Sequence, residues 1–307
     1  MERAPRREDA IAAARVFNRF FSESVGALSD AHLGTGLPLG HARVLFEIGR
    51  LAPIEMQALR SYLGLDAGYL SRTLSSLESA GLLRLTASKV DGRARVVALT
   101  PKGKKRIETL DDRSDDKVIG WLDRLSSEET ARLLDAMSTI RRLLSFDIQI
   151  APCDADSSEA RVCLAAFFAE LARRFPGGFD PARSVSADAH EMSPPNGRFL
   201  LVSSRGLPRG CGAVKTLEPG MGEIKRMWIH PELRGAGVGR RLLDALEACS
   251  VELGHHTVRL DTSERLDEAR ALYRGAGYRE IPAYNDNPYA QHWFEKRLEP
   301  TRTAQRR

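Results

Sequence analysis

Residues 222–246 combine the features that could hold an anion. Glu223-Ile-Lys-Arg-Met-Trp-Ile229 reads as a strand, and His230-Pro-Glu-Leu233 as a turn. Arg234-Gly-Ala-Gly-Val-Gly239 then opens a helix whose apolar positions are Val238, Leu242, Leu246 and Cys249 and which Gly254 ends. A helix N-terminus offers free N–H groups and a partial positive charge. Glycines there let the backbone close around phosphate oxygens. Arg234 is expected at the mouth, with Arg240 and Arg241 in the first helical turn. A nucleotide P-loop needs Gly-x4-Gly-Lys-Ser/Thr, which is absent. A dinucleotide fingerprint counted from Gly235 needs a glycine where Arg240 stands. A tight turn without a ligand is the alternative to a phosphate cradle.

Those residues need a scaffold, and the surrounding pattern supplies one. A strand near 147–151 leads to a helix over about 157–172. After a long excursion come strands near 198–204 and 210–217, the Glu223 strand and the glycine-turn helix. Thr257-Val-Arg-Leu-Asp-Thr262 is another strand, Glu268 to Gly275 a helix, and Gly277-Tyr278 starts a hairpin that ends near Trp293–Lys296. Arg234-x-x-Gly-x-Gly after a strand, this element order, and Ala271-Leu-Tyr-Arg-Gly-Ala-Gly-Tyr278 together resemble the GNAT N-acetyltransferases. The resemblance implies an α/β acyl-CoA N-acyltransferase fold over 147–307 with acetyl-CoA as co-substrate. Backbone groups of Met227, Trp228 and Ile229 would pair with the pantetheine arm. Arg234, Gly235, Ala236, Gly237, Val238, Gly239 and Arg240 would cradle the pyrophosphate. Tyr273 would be the general acid that protonates the departing thiolate, and Glu223 a general base acting on the amine, often through water. The alternatives are that Tyr273 is a core residue with its hydroxyl satisfied and Glu223 an exposed strand carboxylate. The family often has an asparagine about seven residues before the tyrosine; Leu266-Asp-Glu268 stands there instead, which puts one cofactor contact in doubt. Residues 173–197 and 282–291, turn-rich and aromatic, are expected to shape the acceptor site.

With 307 residues, two domains are expected. No apolar stretch approaches the roughly 20 residues of a membrane span, and the charged N-terminus lacks a secretory core, so a cytoplasmic protein without membrane contact is expected. Cys153, Cys163, Cys211 and Cys249 are scattered without a CxxC pair, so no metal site is expected. Net charge is only +5, but residues 84–106 carry eight basic side chains against one acid, Asp91. Such a cluster is either a solvated face or a phosphate-contacting surface.

The fold around it decides between these. Residues 41–51 and 54–62 read as helices, Leu63-Gly-Leu-Asp66 as a turn with Asp66 as N-cap, and 67–80 as a helix stopped by Gly81. Leu70, Leu74 and Leu77 mark its buried face. Ser71, Arg72, Thr73, Ser75 and Ser76 are candidates for a DNA groove. Strands at 82–85 and 95–99 flank the charged turn Lys89-Val-Asp-Gly-Arg93, giving a basic wing in which Lys89, Arg93 and Arg95 would meet DNA. The run Tyr69–Leu83 and Asp91-Gly-Arg followed by Leu99-Thr-Pro-Lys-Gly103 resembles the MarR family of transcriptional regulators. That resemblance covers 8–145 and implies a mainly α winged helix-turn-helix over 1–146. It also implies a homodimer built from helices near 8–29 and 103–145, and a pseudo-palindromic double-stranded DNA operator. The whole then reads as a DNA-binding transcriptional regulator fused to an acetyltransferase acting on an amine acceptor, small molecule or lysine. Two alternatives stand: a transcription factor whose second domain only senses CoA esters, and an enzyme whose winged domain only dimerises.

Overall fold

The computed structural model describes residues 6–29, 31–87, 94–145, 147–184 and 187–299. The chain divides into two compact units between Arg132 and Leu133. We propose, as read from the sequence, that the domains divide at 146/147, just beyond Leu144, where the last helix of the regulator-like segment ends.

In the first unit, α1 (Arg7–Val25), α2 (Leu39–Leu51), β1 (Ile54–Glu55), α3 (Met56–Leu63), α4 (Ala67–Ser79), β2 (Leu83–Ala87), β3 (Arg95–Leu99) and α5 (Pro101–Leu122) follow in order. α6 (Ser127–Leu144) comes next and crosses the division. The core is built from α2, α3, α4 and the sheet: Val44, Leu45, Ile48, Leu59, Leu70, Leu74, Leu77 and Val97 are fully buried. Asp66 caps α4, its carboxylate accepting from the Tyr69 N–H at 3.0 Å. Gly64, left-handed at φ +63, closes α3. The expected helix at 54–62 starts two residues late. Ile54 and Glu55 pair instead with Val97 and Val96, making a three-stranded sheet of order β1-β3-β2. The segment 103–145 is two helices, because Ser126 and Glu129 form a reciprocal capping box that restarts the helix. α1 buries nothing, and Phe17, Phe20 and Phe21 on it are exposed, as are Leu143 and Leu144 at the end of α6.

In the second unit the order is β4 (Ile148–Pro152), α7 (Ser158–Arg174), β5 (Gly197–Ser204), β6 (Leu207–Glu218), β7 (Met221–Ile229), α8 (Val238–Glu252), β8 (Thr257–Thr262), α9 (Asp267–Gly275), β9 (Arg279–Ile281) and β10 (His292–Arg297). One seven-stranded sheet has the order β4-β5-β6-β7-β8-β10-β9. Every pair in it is antiparallel except β7 with β8, which α8 connects as a crossover. α8 buries Val238, Leu242, Leu243 and Leu246 against β5 and β6. A Cβ at Gly212 of β6 would press on Leu246 at 2.8 Å, so a glycine lets helix and sheet close.

The Leu-Thr-x-x-Gly motif has a direct physical reading. Thr100 accepts from the Gly103 N–H at 3.0 Å and donates to the Gly81 carbonyl at 2.7 Å, tying α5 to the end of α4. A Cβ at Gly103 would overlap the Leu82 carbonyl oxygen, a backbone atom that cannot swing aside. Gly103→Ala is therefore expected to destabilise the first unit by about 2 kcal/mol or more. Its thermal midpoint should fall while that of the second unit holds, which scanning calorimetry of the full chain resolves as one shifted transition.

Candidate active site

The site follows from a ladder that stops early. β7 and β8 pair only over Met221–Glu223 with Thr257–Arg259. Beyond that the strands part, and among the described residues the β8-facing edge of β7 from Ile224 to Ile229 has no partner strand, while β6 holds its other edge. Between the parted strands runs a cleft lined by Ile224, Lys225, Arg226 and Met227 of β7, Asp261 and Thr262 of β8, and Tyr273 of α9.

At the end of β7 the chain turns through Pro231–Leu233 into α8. Gly235 and Gly237 are left-handed at φ +73 and +75, conformations that only glycine adopts without strain. No side chain caps α8. Among the described residues, none of the N–H groups of Gly235, Ala236, Gly237, Val238, Gly239 and Arg240 has a hydrogen-bond partner. Six consecutive donors at one helix terminus form an anion cradle. Ala236 and Val238 serve from their backbone only, since their side chains are buried.

Arg234 does not stand free at the mouth as expected. Its Nε donates to the Ile229 carbonyl at 2.9 Å and its Nη2 to Glu170 at 2.5 Å. Glu170, buried on α7, also accepts from the Trp228 indole at 2.8 Å and pairs with Arg174 at 3.0 Å. Arg234 thus braces the loop, and the Ile229 carbonyl is already engaged. Arg240 is exposed and bonded to Asp244 at 2.8 Å and to the Gly275 carbonyl at 3.1 Å. Trp228 packs in the core, so of the three residues assigned to the cofactor arm only Met227 also has its side chain at the cleft.

The carboxylates on the two parted strands are placed differently. Glu223 is 1% exposed and is not among the residues that line the cleft. Its Oε1 accepts from Tyr284 at 2.7 Å and Lys225 at 3.0 Å. The carboxylate at the cleft is Asp261, which the sequence reading did not single out; it accepts from Lys225 at 2.9 Å and Asn285 at 2.7 Å. Lys225 therefore bridges the two acids across the parted strands. Tyr273 lines the cleft between the Tyr278 and Phe294 rings, each 5.9 Å away, and no protein group bonds its hydroxyl among the described residues. Burial pushes its pKa well up, and the charge of Asp261 adds to this, so the phenol stays protonated. The turn-rich segments reach the cleft too, through Phe175, Phe179, Ser184, Asn287 and Tyr289.

In the first unit, Ser71, Arg72, Ser75 and Ser76 of α4 are exposed, as is Arg95 on β3. Thr73 is 1% exposed and belongs to the buried face with Leu70, Leu74 and Leu77, so it is removed from the DNA-facing set. Lys89 and Arg93 lie outside the described residues.

Residues 164–278 match the acetyltransferase (GNAT) family, and residues 35–94 match the MarR family. An IAA acetyltransferase of Azospirillum brasilense is 36% identical over 107 residues, covering 34% of this chain and 70% of that protein. The chain belongs to the GNAT family. Ahead of the GNAT segment it carries a MarR-type winged helix-turn-helix. There it is 26% identical over 107 residues to an HTH-type transcriptional regulator, YdgJ, of Bacillus subtilis, covering 35% of this chain and 65% of that one. A GNAT acetyltransferase structure from Staphylococcus aureus is 18% identical, with TM-score 0.43 over 50% of this chain and 99% of the other.

Within the GNAT unit Glu170 joins loop, strand and helix. Burial alone would raise its carboxyl, but hydrogen bonds from Arg234 and Trp228 and the charge of Arg174 outweigh that and hold it below the usual carboxylate range. Its stabilisation is therefore complete above the unfolded value of about 4.3 and is lost as the pH falls through the lower folded value. Glu170→Gln should cost about 2 kcal/mol at pH 7, roughly 4–8 °C in the melting of this unit. The gap to the parent protein should shrink at pH 3.5; a gap independent of pH in thermal melts would rule the charge out as the cause.

Proposed function

We propose that the protein is a DNA-binding transcriptional regulator whose GNAT unit transfers acetyl from acetyl-CoA to an amine. The observation that carries the second half is the run of six unpartnered N–H groups from Gly235 to Arg240, set at the end of an unpaired β7 edge. That arrangement suits a pyrophosphate followed by an extended amide-containing arm. The arm can add to the open edge of β7 as a strand would, with Met227 beside it. Acetyl-CoA, as donor substrate, supplies the thioester carbonyl carbon that the amine attacks. Asp261, at the cleft wall, takes a proton from the ammonium and passes it to solvent. An N–C bond forms, the C–S bond breaks with its electron pair going to sulfur, and Tyr273 gives that sulfur its proton. The second proton lost by nitrogen restores the phenol. Glu223 is a positioning residue in this scheme, holding Lys225 and Tyr284 around Asp261.

Acetyl-CoA titrated calorimetrically into the full chain should bind. Gly237→Glu, which places a side chain and a negative charge in the cradle, should abolish the heat. Tyr273→Phe should leave that binding within about threefold and lower kcat by roughly 10²–10⁴-fold. Binding with no turnover towards any amine would support a CoA-ester sensor instead.

For the first unit, the exposed face of α4 and Arg95 on β3 suit a major groove and the adjacent backbone. Arg72 and Arg95, with Lys89 and Arg93, are the proposed phosphate and base contacts. The uncovered apolar faces of α1 and of the end of α6 suit a homodimer and hence a two-fold operator. The reading places the protein in the cytoplasm, where operator DNA and acetyl-CoA are both found. Arg72→Ala with Arg95→Ala should weaken operator binding and reduce the slope of log affinity against log salt by about two. Unchanged affinity in a fluorescence-anisotropy titration would leave the winged unit as a dimerisation device.

A further inference from the structure

Arg226 is the one charged residue of the cleft that the transfer chemistry leaves unused. It has φ +57 inside β7, a left-handed conformation rare for a side chain other than glycine. It sits where the register between β6 and β7 slips, between the Cys211–Trp228 and Ala213–Lys225 pairs. A bulge re-aims a side chain, and this one puts Arg226 among the residues that line the cleft. Its guanidinium lies 4.9 Å from the centroid of the Phe168 ring. Among the described residues no hydrogen bond or ion pair engages it, although Asp261 lines the same cleft, bonded to Lys225 and Asn285. Burial disfavours this cation and the charges of Asp188 and Asp261 offset that only in part, and a strained backbone makes its placement costlier still. The first is relieved when an anion enters.

The apolar part of the cleft has equally definite chemistry. Phe175 stacks on Tyr289 with centroids 5.6 Å apart, and Phe179 lies 4.7 Å from Tyr289. All three rings are half-buried and line the cleft, a surface on which a flat ring seats well. Asp261 offers a carboxylate to an ammonium. Cation, aromatic wall and carboxylate in one cleft complement a molecule that bears a carboxylate, a ring and an amine together.

We infer that the acceptor is a small aromatic α-amino acid or a close analogue. Its carboxylate pairs with Arg226, its ring lies among Phe175, Phe179 and Tyr289, and its amine stands at Asp261. This rests on the acetyl-transfer reading above and names its substrate class. The products are the N-acetyl amino acid, free thiol and one proton. A lysine side chain within a protein has neither the nearby carboxylate nor the ring.

The test offers the full chain, saturated with acetyl-CoA, four acceptors: L-phenylalanine, phenethylamine (no carboxylate), L-alanine (no ring) and a lysine peptide. Thiol release is followed, and calorimetry measures L-phenylalanine binding to the CoA-loaded protein. L-Phenylalanine is expected to exceed the other three in kcat/KM by roughly 10–100-fold. In Arg226→Met the phenylalanine-to-phenethylamine ratio should collapse to within about threefold, while Arg226→Lys, which keeps the charge, should retain part of it. Because both substitutions alter the bulge, the comparison of acceptors with the unaltered protein stands as an independent arm. Phenethylamine or the lysine peptide used as well as phenylalanine overturns the acceptor class and leaves acetyl transfer standing. Phenylalanine bound but not acetylated supports the acceptor site and overturns the transfer reading. Neither turnover nor phenylalanine binding overturns the acceptor class, and intact acetyl-CoA binding then leaves the sensor.

Discussion

Parallel pairing between β7 and β8 ends at Glu223 and Arg259, and both strands then run on without each other. Unpaired backbone inside a protein is costly, of order 1–3 kcal/mol for each orphaned group, and parted strands would ordinarily close. They are held from outside. β6 pairs with β7 almost to its end, and β10 pairs with all six residues of β8. Lys225 acts as a strut, reaching across the gap from Glu223's strand to Asp261. The cleft, the free edge and the position of Tyr273 at its wall all depend on this enforced separation. The glycine loop adds donors where the free edge ends.

Much of the second unit was legible in the sequence because its signals are local. Glycines at 235, 237 and 239 after a β-run specify a backbone path, and the structure shows that path with left-handed glycines at 235 and 237. What stayed hidden was long-range pairing. That Arg234 turns to Glu170 needs α7 to pack beside β7, across 64 residues of sequence. That Asp261 rather than Glu223 lines the cleft depends on where β7 and β8 part: Glu223 is the last paired residue of β7, and Asp261 lies beyond the paired stretch of β8. A strand pattern reports which side chains share a face, not which face borders a cavity. Arg226 carried no sequence signal at all, since nothing in Lys-Arg-Met announces a positive φ.

In the first unit Thr73 follows the helical period rather than its polarity. Its place three residues after Leu70 and four before Leu77 puts it on the apolar stripe of the helix, and the hydroxyl drew it into the polar set. Gly103 teaches the converse. Its spacing from Thr100 was read as a family signature, while its cause, a backbone carbonyl lying where a Cβ would go, is visible only in three dimensions.

Helix α7 carries Glu170, which grips the glycine-loop arginine, and one and a half turns further on the chain reaches Phe175, which forms part of the aromatic wall. A helix is stiff over so short a span. The loop is therefore tied to the helix through Glu170, and the aromatic wall begins where the helix gives way to extended chain at Phe175. Under the transfer proposed above, donor loop and aromatic wall thus have a common footing in one helix and the residue that follows it.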